Sequence, residues 1–286
     1  MVLLNTVRRM IRTDCFRSLV FAGVAAMTMA LGAATLPGAE GAPASEAAKK
    51  AVHPQPQEME ALAAKDPLLF LKTALQWSDD NVAEYTCQLE KQEKIGGELH
   101  KTETMRMKFR AGTFSVYLKW IAEPSKGQEV IYIDGANSNK AVVHPSGILG
   151  VLFRKVLIDP TSKMALKYSR RPVTMVGMAN MLRITIPQCE AAKANGDLTL
   201  TYEGLRYLNG RPTYVFKRTL PKKGDYQAAV LDIYVDKEYM VCVRTDAFDW
   251  EGGLLSQYIY TDFAINPGLT DKDFDPSNGD YGYRVF

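Results

Sequence analysis

The sequence predicts a mainly β fold of the α+β class, in which one large curved antiparallel sheet or barrel is combined with two apolar helices. Three observations support this fold class. Apolar and polar residues alternate with a period of two in about ten short segments. Two further segments have apolar residues at helical spacing. Turn residues separate most neighbouring strand segments, whereas a parallel sheet would need long crossover connections between strands.

The first 44 residues are predicted to be an export signal and not part of the fold. A basic start precedes the apolar segment 19–31, which is short for a membrane span. The basic residues are Arg8, Arg9, Arg12 and Arg17. Cleavage between residues 35 and 45 would make the protein periplasmic or secreted, whereas an uncleaved signal would tether it to the inner membrane. Cys15 precedes the apolar segment, so we do not expect a lipid-modified N-terminal cysteine.

Formal charge gives no sign of a nucleic-acid partner. The predicted signal contains four of the 35 basic and two of the 32 acidic residues, which leaves 31 basic against 30 acidic. A nearly neutral chain lacks the electrostatic footprint expected for binding nucleic acid or an anionic bilayer surface. The roughly 240 remaining residues are enough for a single β-rich domain.

That single domain is predicted to span residues 66–286, after a flexible leader at residues 45–65 that is polar and contains proline. Asp66 and Pro67 mark a helix start, because aspartate caps free N–H groups and proline suits the first helical position. Leu68, Leu71 and Leu75 then share one face. This helix is apolar over most of its circumference, so other elements must cover it.

Successive strands are predicted from Glu84, where the period changes to two. The apolar face of the first strand contains Tyr85, Cys87 and Leu89. The corresponding faces of the next two strands are Met105, Met107 and Phe109, then Phe114, Val116, Leu118 and Trp120. A turn at residues 124–127 leads into the apolar run 129–134, which is therefore predicted to form a hairpin with the strand that ends at Trp120.

A helical insertion is predicted at about residues 145–194, between two groups of strands. It consists of a loop or short helix, then a helix from about Pro172 that Pro187 ends or kinks. Met175, Met178 and Met181 recur at a spacing of three. Methionine side chains adapt to irregular apolar partners such as an acyl chain, although an ordinary core helix would have the same pattern.

Strands resume after the insertion, and Asn209-Gly210 is a two-residue hairpin signal between two of them. The predicted segments are 198–202, 213–217, 231–235, 239–245 and 257–263. The acidic tail, residues 271–282, does not fit a calcium-binding loop, because Pro276 occupies the position that requires glycine. We expect a solvated turn and a last short strand there.

No pattern typical of a catalytic or metal site is present, so no cofactor, metal or enzymatic activity is predicted. The three histidines, His53, His100 and His144, lack metal-ligand spacing, and Ser146 lacks the glycines of a nucleophile elbow. A hydrolase with carboxylates that meet only in space remains a remote alternative. Its candidates flank Trp250 and are Asp246, Asp249 and Glu251.

Three cysteines follow the predicted signal, namely Cys87, Cys189 and Cys242. An odd number in an oxidising compartment allows three buried thiols, or one disulfide and one free thiol. Cys87 and Cys242 both fall in predicted strands, so a bridge between them is the alternative to buried thiols.

Five motifs resemble an uncharacterised bacterial envelope family, domain-of-unknown-function family 1571, over about residues 66–286. The motifs are 84–93 (EYTCQLEKQE), 116–120 (VYLKW), 126–132 (KGQEVIY), 169–172 (SRRP) and 273–278 (DFDPSN). The order of helix, meander, helical insertion and meander also resembles the LolA and LolB lipoprotein-carrier fold. This resemblance implies a half-open β-barrel whose mouth is covered by helices, with an apolar cavity able to hold lipid or the acyl chains of a lipoprotein.

The predicted function is that of a non-enzymatic, exported cell-envelope protein that binds or carries a lipid, acyl chain or lipoprotein. Its partners are lipid or lipoprotein acyl chains and a possible envelope protein, with no nucleic acid and no transmembrane helix in the mature chain. The residues predicted to line the cavity are Met105, Met107, Phe109, Phe114, Val116, Leu118, Trp120, Met175, Met178 and Met181. The alternative function is a periplasmic sensor or protein-interaction module. The alternation predicts an apolar interior, either open as a cavity or filled by its own side chains.

Overall fold

The structure is a computed structural model that describes residues 56–283. The predicted export signal and residues 45–55 of the predicted leader lie outside the described residues. The helices are α1 (Pro56–Lys65), α2 (Pro67–Asn81), α3 (Gly147–Leu152) and α4 (Met178–Ala194). The strands are β1 (Glu84–Ile95), β2 (Glu98–Leu99), β3 (Glu103–Arg110), β4 (Ser115–Trp120), β5 (Glu129–Ile133), β6 (Ala141–His144), β7 (Val156–Ile158), β8 (Thr199–Leu208), β9 (Arg211–Thr219), β10 (Val230–Asp236), β11 (Cys242–Phe248) and β12 (Leu254–Ile265).

All twelve strands belong to one antiparallel sheet, in the order β7-β6-β5-β4-β3-β1-β12-β11-β10-β9-β8, with β2 paired to the end of β1. The first and last long strands, β1 and β12, pair at its centre. The edge strands β7 and β8 do not pair with each other, so the sheet is open. This arrangement confirms the predicted fold class of a large antiparallel sheet with helices.

Local signals in the sequence produce the predicted start of α2 and the predicted hairpin after Trp120. The carboxylate of Asp66 accepts a hydrogen bond from the Leu69 N–H at 3.0 Å, and Pro67 is the first helical residue. Strands β4 and β5 pair with Lys119 opposite Glu129, and the Gly127 N–H donates to the Trp120 carbonyl at 2.9 Å. Both predictions are confirmed.

Several element boundaries differ from those predicted. Residues 56–65, predicted as leader, form helix α1, because Met59 and Ala63 contribute to the core. Helix α4 begins at Met178 and continues through Pro187 to Ala194. Strand β7 lies inside the insertion, where no strand is predicted. Strand β11 begins only at Cys242, because the preceding chain turns at Met240, where φ is 50°.

The two faces of the sheet are covered differently. On one face, apolar side chains of the strands and of α1, α2 and α4 form the main core. On the opposite face, Tyr117, Ile131 and Val142 pack with side chains from the tail, which are Phe274, Tyr281 and Tyr283. The described part of the tail forms a 3-10 turn, Asp271–Phe274, and no strand. The expectation of a solvated tail with a last short strand is therefore wrong.

Candidate functional site

The residues predicted to line a cavity come from the sheet and from helix α4 with the chain just before it, and most of them lie in the main core, at the interface between the sheet and the helices. Those buried in the main core are Met105, Met107, Phe109, Val116, Leu118, Trp120, Met178 and Met181. Phe114 is half-buried at the margin of this core, and Met175 is 38% exposed just before α4. In this structure the buried side chains among them pack with other residues of the main core. Phe109, for example, stacks on Tyr85 with 4.8 Å between ring centres.

The N-terminus of helix α4 is held against the sheet by two buried tyrosines. The Gly177 N–H donates to the Tyr260 hydroxyl at 3.3 Å, and the Met178 N–H donates to the Tyr85 hydroxyl at 3.0 Å. Burial raises the pKa of both tyrosines, so both hydroxyls stay neutral. A Cβ at Gly177 would lie 2.9 Å from the Phe109 ring. Glycine therefore permits this close approach of the chain to the sheet.

Charged pairs join helix α4 to helix α2. Lys72 lies 2.5 Å from Glu190, and Arg183 forms an ion pair with Asp79. These side chains are substantially exposed, so the pairs contribute little to the free energy of unfolding. They show which sides of the two helices face each other.

A polar pocket of about 300 Å³ lies near the C-terminal end of β1. It is lined by Lys91, Glu93, Ile95, His100, Lys101, Glu103, Pro124, Ser125 and Tyr168. No pattern in the sequence predicts this pocket, because its residues come from separate segments that no regular spacing connects.

Lys91 forms two ion pairs in this pocket. Its ammonium group lies 2.9 Å from Glu103 Oε2 and 3.3 Å from Glu93 Oε2. Burial disfavours the charged lysine, but the two carboxylates outweigh this effect and raise the pKa of Lys91. The Trp120 indole N–H also donates to Glu103 at 2.8 Å. The Tyr258 hydroxyl donates to Glu93.

Two of the five motifs contact each other at this pocket, and a third contacts the tail on the opposite face of the sheet. At the pocket, Glu93 accepts a hydrogen bond from the Arg170 N–H at 3.2 Å and pairs with Lys91. On the opposite face, Glu129 accepts a hydrogen bond from the Gly282 N–H of the tail at 3.0 Å. The motifs thus tie the insertion and the tail to the sheet.

The carboxylates considered for a hydrolase have structural partners. Asp246 accepts hydrogen bonds from Arg244 and Gln257, each at 2.8 Å. Asp249 pairs with Lys94 at 3.0 Å and accepts the Gly253 N–H at 2.6 Å. The hydrogen bond from Lys94 is the main cause that lowers the pKa of Asp249. Glu251 pairs with Lys222 at 2.7 Å on the surface.

Cys87, Cys189 and Cys242 are all free and buried, so the bridge between Cys87 and Cys242 is not formed. Burial raises the pKa of each thiol, that of Cys242 to about 12. Within residues 56–283, no three or more histidine, cysteine or acidic side chains are grouped so as to hold a metal ion. Among the described helices, none combines the length and apolar character needed to cross a bilayer.

Comparisons with solved structures give matches of low identity. The MucA/MucB complex of Pseudomonas aeruginosa matches at 15% identity and a TM-score of 0.42, over 71% of this chain and 60% of that chain. Lipoprotein LppX of Mycobacterium tuberculosis matches at 15% identity and a TM-score of 0.43, over 73% of this chain and 100% of that chain. A LolA superfamily protein of Nitrosomonas europaea matches at 10% identity and a TM-score of 0.28, over 72% of this chain and 97% of that chain.

A family model identifies the chain more directly. No curated protein matches the sequence. The model of the proteins of unknown function named DUF1571 matches residues 82–283, which include all five motifs. The chain therefore belongs to the DUF1571 family.

Proposed function

We propose that this protein is a non-enzymatic, exported cell-envelope protein that binds an acyl chain of a lipid or lipoprotein between its open sheet and helix α4. The observation that carries the proposal is the methionine-rich interface at this position. Met105 and Met107 contribute from the sheet, Met178 and Met181 from the helix, and Met175 is exposed at the margin. Unbranched, polarizable side chains repack around an irregular apolar ligand at low cost.

Binding requires helix α4 to move away from the sheet, because the protein's own side chains fill the interface. The movement breaks the two hydrogen bonds from Gly177 and Met178, each worth about 0.5–1.5 kcal/mol. Burying an acyl chain contributes about 0.8 kcal/mol per methylene, so ten methylenes contribute about 8 kcal/mol. The ligand also replaces apolar contacts that the helix loses. Because the free energy gained grows with each methylene while the cost of moving the helix does not, a long acyl chain should bind more tightly than a short one.

Lipid binding is tested first on the purified protein, by native mass spectrometry and by titration with a fluorescent fatty acid. A co-purifying lipid and saturable binding of the fatty acid are expected. If neither is found, the carrier function is wrong.

Substitution at the margin of the interface tests where the acyl chain binds. Met175→Glu places a charge beside the expected entrance and should weaken fatty-acid binding at least tenfold, since burying a charge there is costly. Met164→Glu is the matched control, because Met164 is also an exposed methionine of the insertion. Equal loss of binding in both variants would contradict this location.

Export is a separate part of the proposal and rests on the basic start and apolar segment of the first 44 residues. Fractionation of cells and N-terminal sequencing should find the protein in the envelope or the medium, beginning between residues 35 and 45. A cytoplasmic protein that retains residue 1 would contradict export.

A protein-interaction module is the second candidate function, and the filled interface favours it, because a packed interior needs no ligand. Cross-linking in cells, followed by purification, would support the module if one stoichiometric protein partner and no lipid were recovered.

A hydrolase with dispersed carboxylates has weaker support. Glu93 and Glu103 do face the same pocket, but Lys91 pairs with both, and each accepts further hydrogen bonds. These contacts occupy the carboxylate oxygens that a glycosidic substrate or an attacking water would need to reach.

A further inference from the structure

Helix α3 and the residue that follows it expose more large apolar side chains than a solvated segment normally does. We call residues 147–153 the apolar tip. The exposed fractions are 80% for Ile148, 58% for Leu149, 70% for Val151, 67% for Leu152 and 52% for Phe153. A contiguous apolar surface of this kind on a folded protein indicates a binding site for another molecule or a membrane.

The apolar tip is built on a fixed base. Gly150 is the buried residue of α3, and a Cβ there would lie 2.1 Å from the Pro145 carbonyl oxygen and 3.2 Å from the His144 ring. His144 Nδ1 lies 3.1 Å from the carbonyl oxygen of Arg154, which joins the two ends of the tip. The short helix thus turns glycine towards the protein and its large side chains towards solvent.

The chain that follows the tip is strongly basic. Residues 154–171 contain six basic residues and one acidic residue, Asp159. The basic residues are Arg154, Lys155, Lys163, Lys167, Arg170 and Arg171. None of the six has an ion-pair partner among residues 56–283, within which most other lysines and arginines of the sheet and helices do. The near-neutral charge of the whole chain therefore conceals a local excess of positive charge.

We propose that the apolar tip inserts into the surface of a bilayer that contains anionic phospholipids, while the basic residues that follow it contact the phosphate groups. Charge complementarity selects this partner, because apolar side chains flanked by lysine and arginine bind most strongly where acyl chains lie beneath anionic head groups. The membrane contact does not require a ligand at the interface between the sheet and α4, so it goes beyond the proposed function.

Sedimentation with sucrose-loaded vesicles tests the proposal on the purified protein. Vesicles with 30% phosphatidylglycerol in phosphatidylcholine should bind it at least tenfold more tightly than vesicles of phosphatidylcholine alone. Raising the salt concentration from 0.1 M to 0.5 M should weaken this binding several-fold, because salt screens the head-group charge.

Two pairs of variants locate the contact. Leu152→Glu in the tip should weaken vesicle binding at least tenfold, whereas Leu99→Glu, at an exposed leucine of β2, should change it less than twofold. Lys155→Glu should also weaken binding about tenfold, whereas Lys65→Glu, at an exposed lysine of α1, should not. Circular dichroism and urea unfolding verify that each variant is folded.

The proposal is overturned if the wild-type protein does not bind anionic vesicles, or if the control variants lose as much binding as the tip variants. It is also overturned if the tip binds one stoichiometric protein and no vesicle. Titration with the fluorescent fatty acid distinguishes a failure of the membrane contact from a failure of the proposed acyl-chain binding. Leu152→Glu should still bind the fatty acid, and a wild-type protein that binds vesicles but no fatty acid would leave the membrane contact standing alone.

Discussion

A single glycine positions helix α4 against the sheet. Gly177 has a φ of +130°, a conformation that side chains with a Cβ rarely adopt, and its Cα faces the Phe109 ring. The methionine spacing in the sequence predicts the helix, but it does not predict this contact. The reason is that the close approach depends on a ring from strand β3, distant in the sequence.

Gly177→Ala is expected to lower the free energy of unfolding by about 2–4 kcal/mol, through backbone strain and overlap with Phe109. Urea unfolding measures this change. Gly112→Ala is the control, because a Cβ there would meet nothing within 4 Å. A similar loss in both variants would contradict the role given to Gly177.

Buried thiols make the stability of the protein depend on alkaline pH. The pKa of Cys242 is raised to about 12 in the folded protein, whereas an unfolded cysteine has a pKa of about 8.5. The contribution of the neutral thiol to stability is therefore fully present below about pH 8.5. It is lost as the pH rises towards the pKa of Cys242 in the folded protein.

From pH 7.5 to pH 9.5, the free energy of unfolding of the wild-type protein should fall by about 1.4 kcal/mol more than that of Cys242→Ala. Urea unfolding at the two pH values measures this difference. Cys242→Ala will be less stable than the wild type at both values because it removes buried volume, so only the difference in pH dependence counts. Identical pH dependence would show that Cys242 ionises equally well in the folded protein.

At the scale of elements, helix α4 contains a proline at which the sequence predicts that the helix ends or kinks. Pro187 is exposed, and the helix continues beyond it to Ala194. Buried residues on both sides of it, including Leu182 and Cys189, hold the helix on the sheet. Tertiary packing thus outweighs the local cost of a missing N–H donor.

Pro187→Ala is expected to raise the free energy of unfolding by about 1–3 kcal/mol, because it restores a helical N–H and removes a steric conflict. The melting temperature and urea midpoint should both rise. Pro67→Ala should give no increase, since Pro67 is the first residue of its helix, where no N–H donor is needed. A fall in stability of Pro187→Ala would indicate that the proline shapes the helix for its contact with the sheet.

Strands differ in how closely their sequence predicts them. Those with one apolar face against the core, such as β3 and β4, have the clearest alternation and are predicted within a few residues. Strand β7 has three residues and pairs only with β6, so it leaves too short a pattern to recognise. Helix α1 is missed because the residues that pack on the core, Met59, Leu62 and Ala63, lie in a segment that is otherwise largely polar and begins with proline.

At the scale of the whole molecule, the chain covers both faces of its sheet. The tail packs Phe274 against the outer face and is anchored by Lys108–Asp273 at 2.8 Å and Arg110–Asp271 at 2.6 Å. The sequence predicts only a solvated turn at these aspartates. Their role appears only when the tail and β3 are placed side by side.

Phe274→Ala should lower the free energy of unfolding by about 3–5 kcal/mol, because it leaves a cavity between the tail and the sheet. Phe153→Ala removes an exposed phenylalanine and should change stability by no more than about 0.5 kcal/mol. Urea unfolding compares the two. An equally small effect of both substitutions would mean that the tail does not stabilise the sheet.

The polar pocket and the apolar tip are harder to predict from the sequence than the fold is. Lys91, Glu103 and Tyr168 line the pocket from separate segments, and no local spacing signals that they meet. The apolar residues 148–153 are visible in the sequence, but their composition suits a buried element equally well. Their exposure depends on the rest of the fold leaving them uncovered.

Local patterns in the sequence predict which face of each long strand is apolar, where α2 begins and where the chain turns after Trp120. These features follow from side-chain period, capping and turn chemistry, which act over a few residues. Three features depend on tertiary contacts instead: β1 and β12 pair at the centre of the sheet, the methionines of the sheet and of α4 are buried in one core, and the tail covers the opposite face of the sheet. Alternation specifies an apolar surface, but what covers that surface depends on contacts between residues that are distant in the sequence.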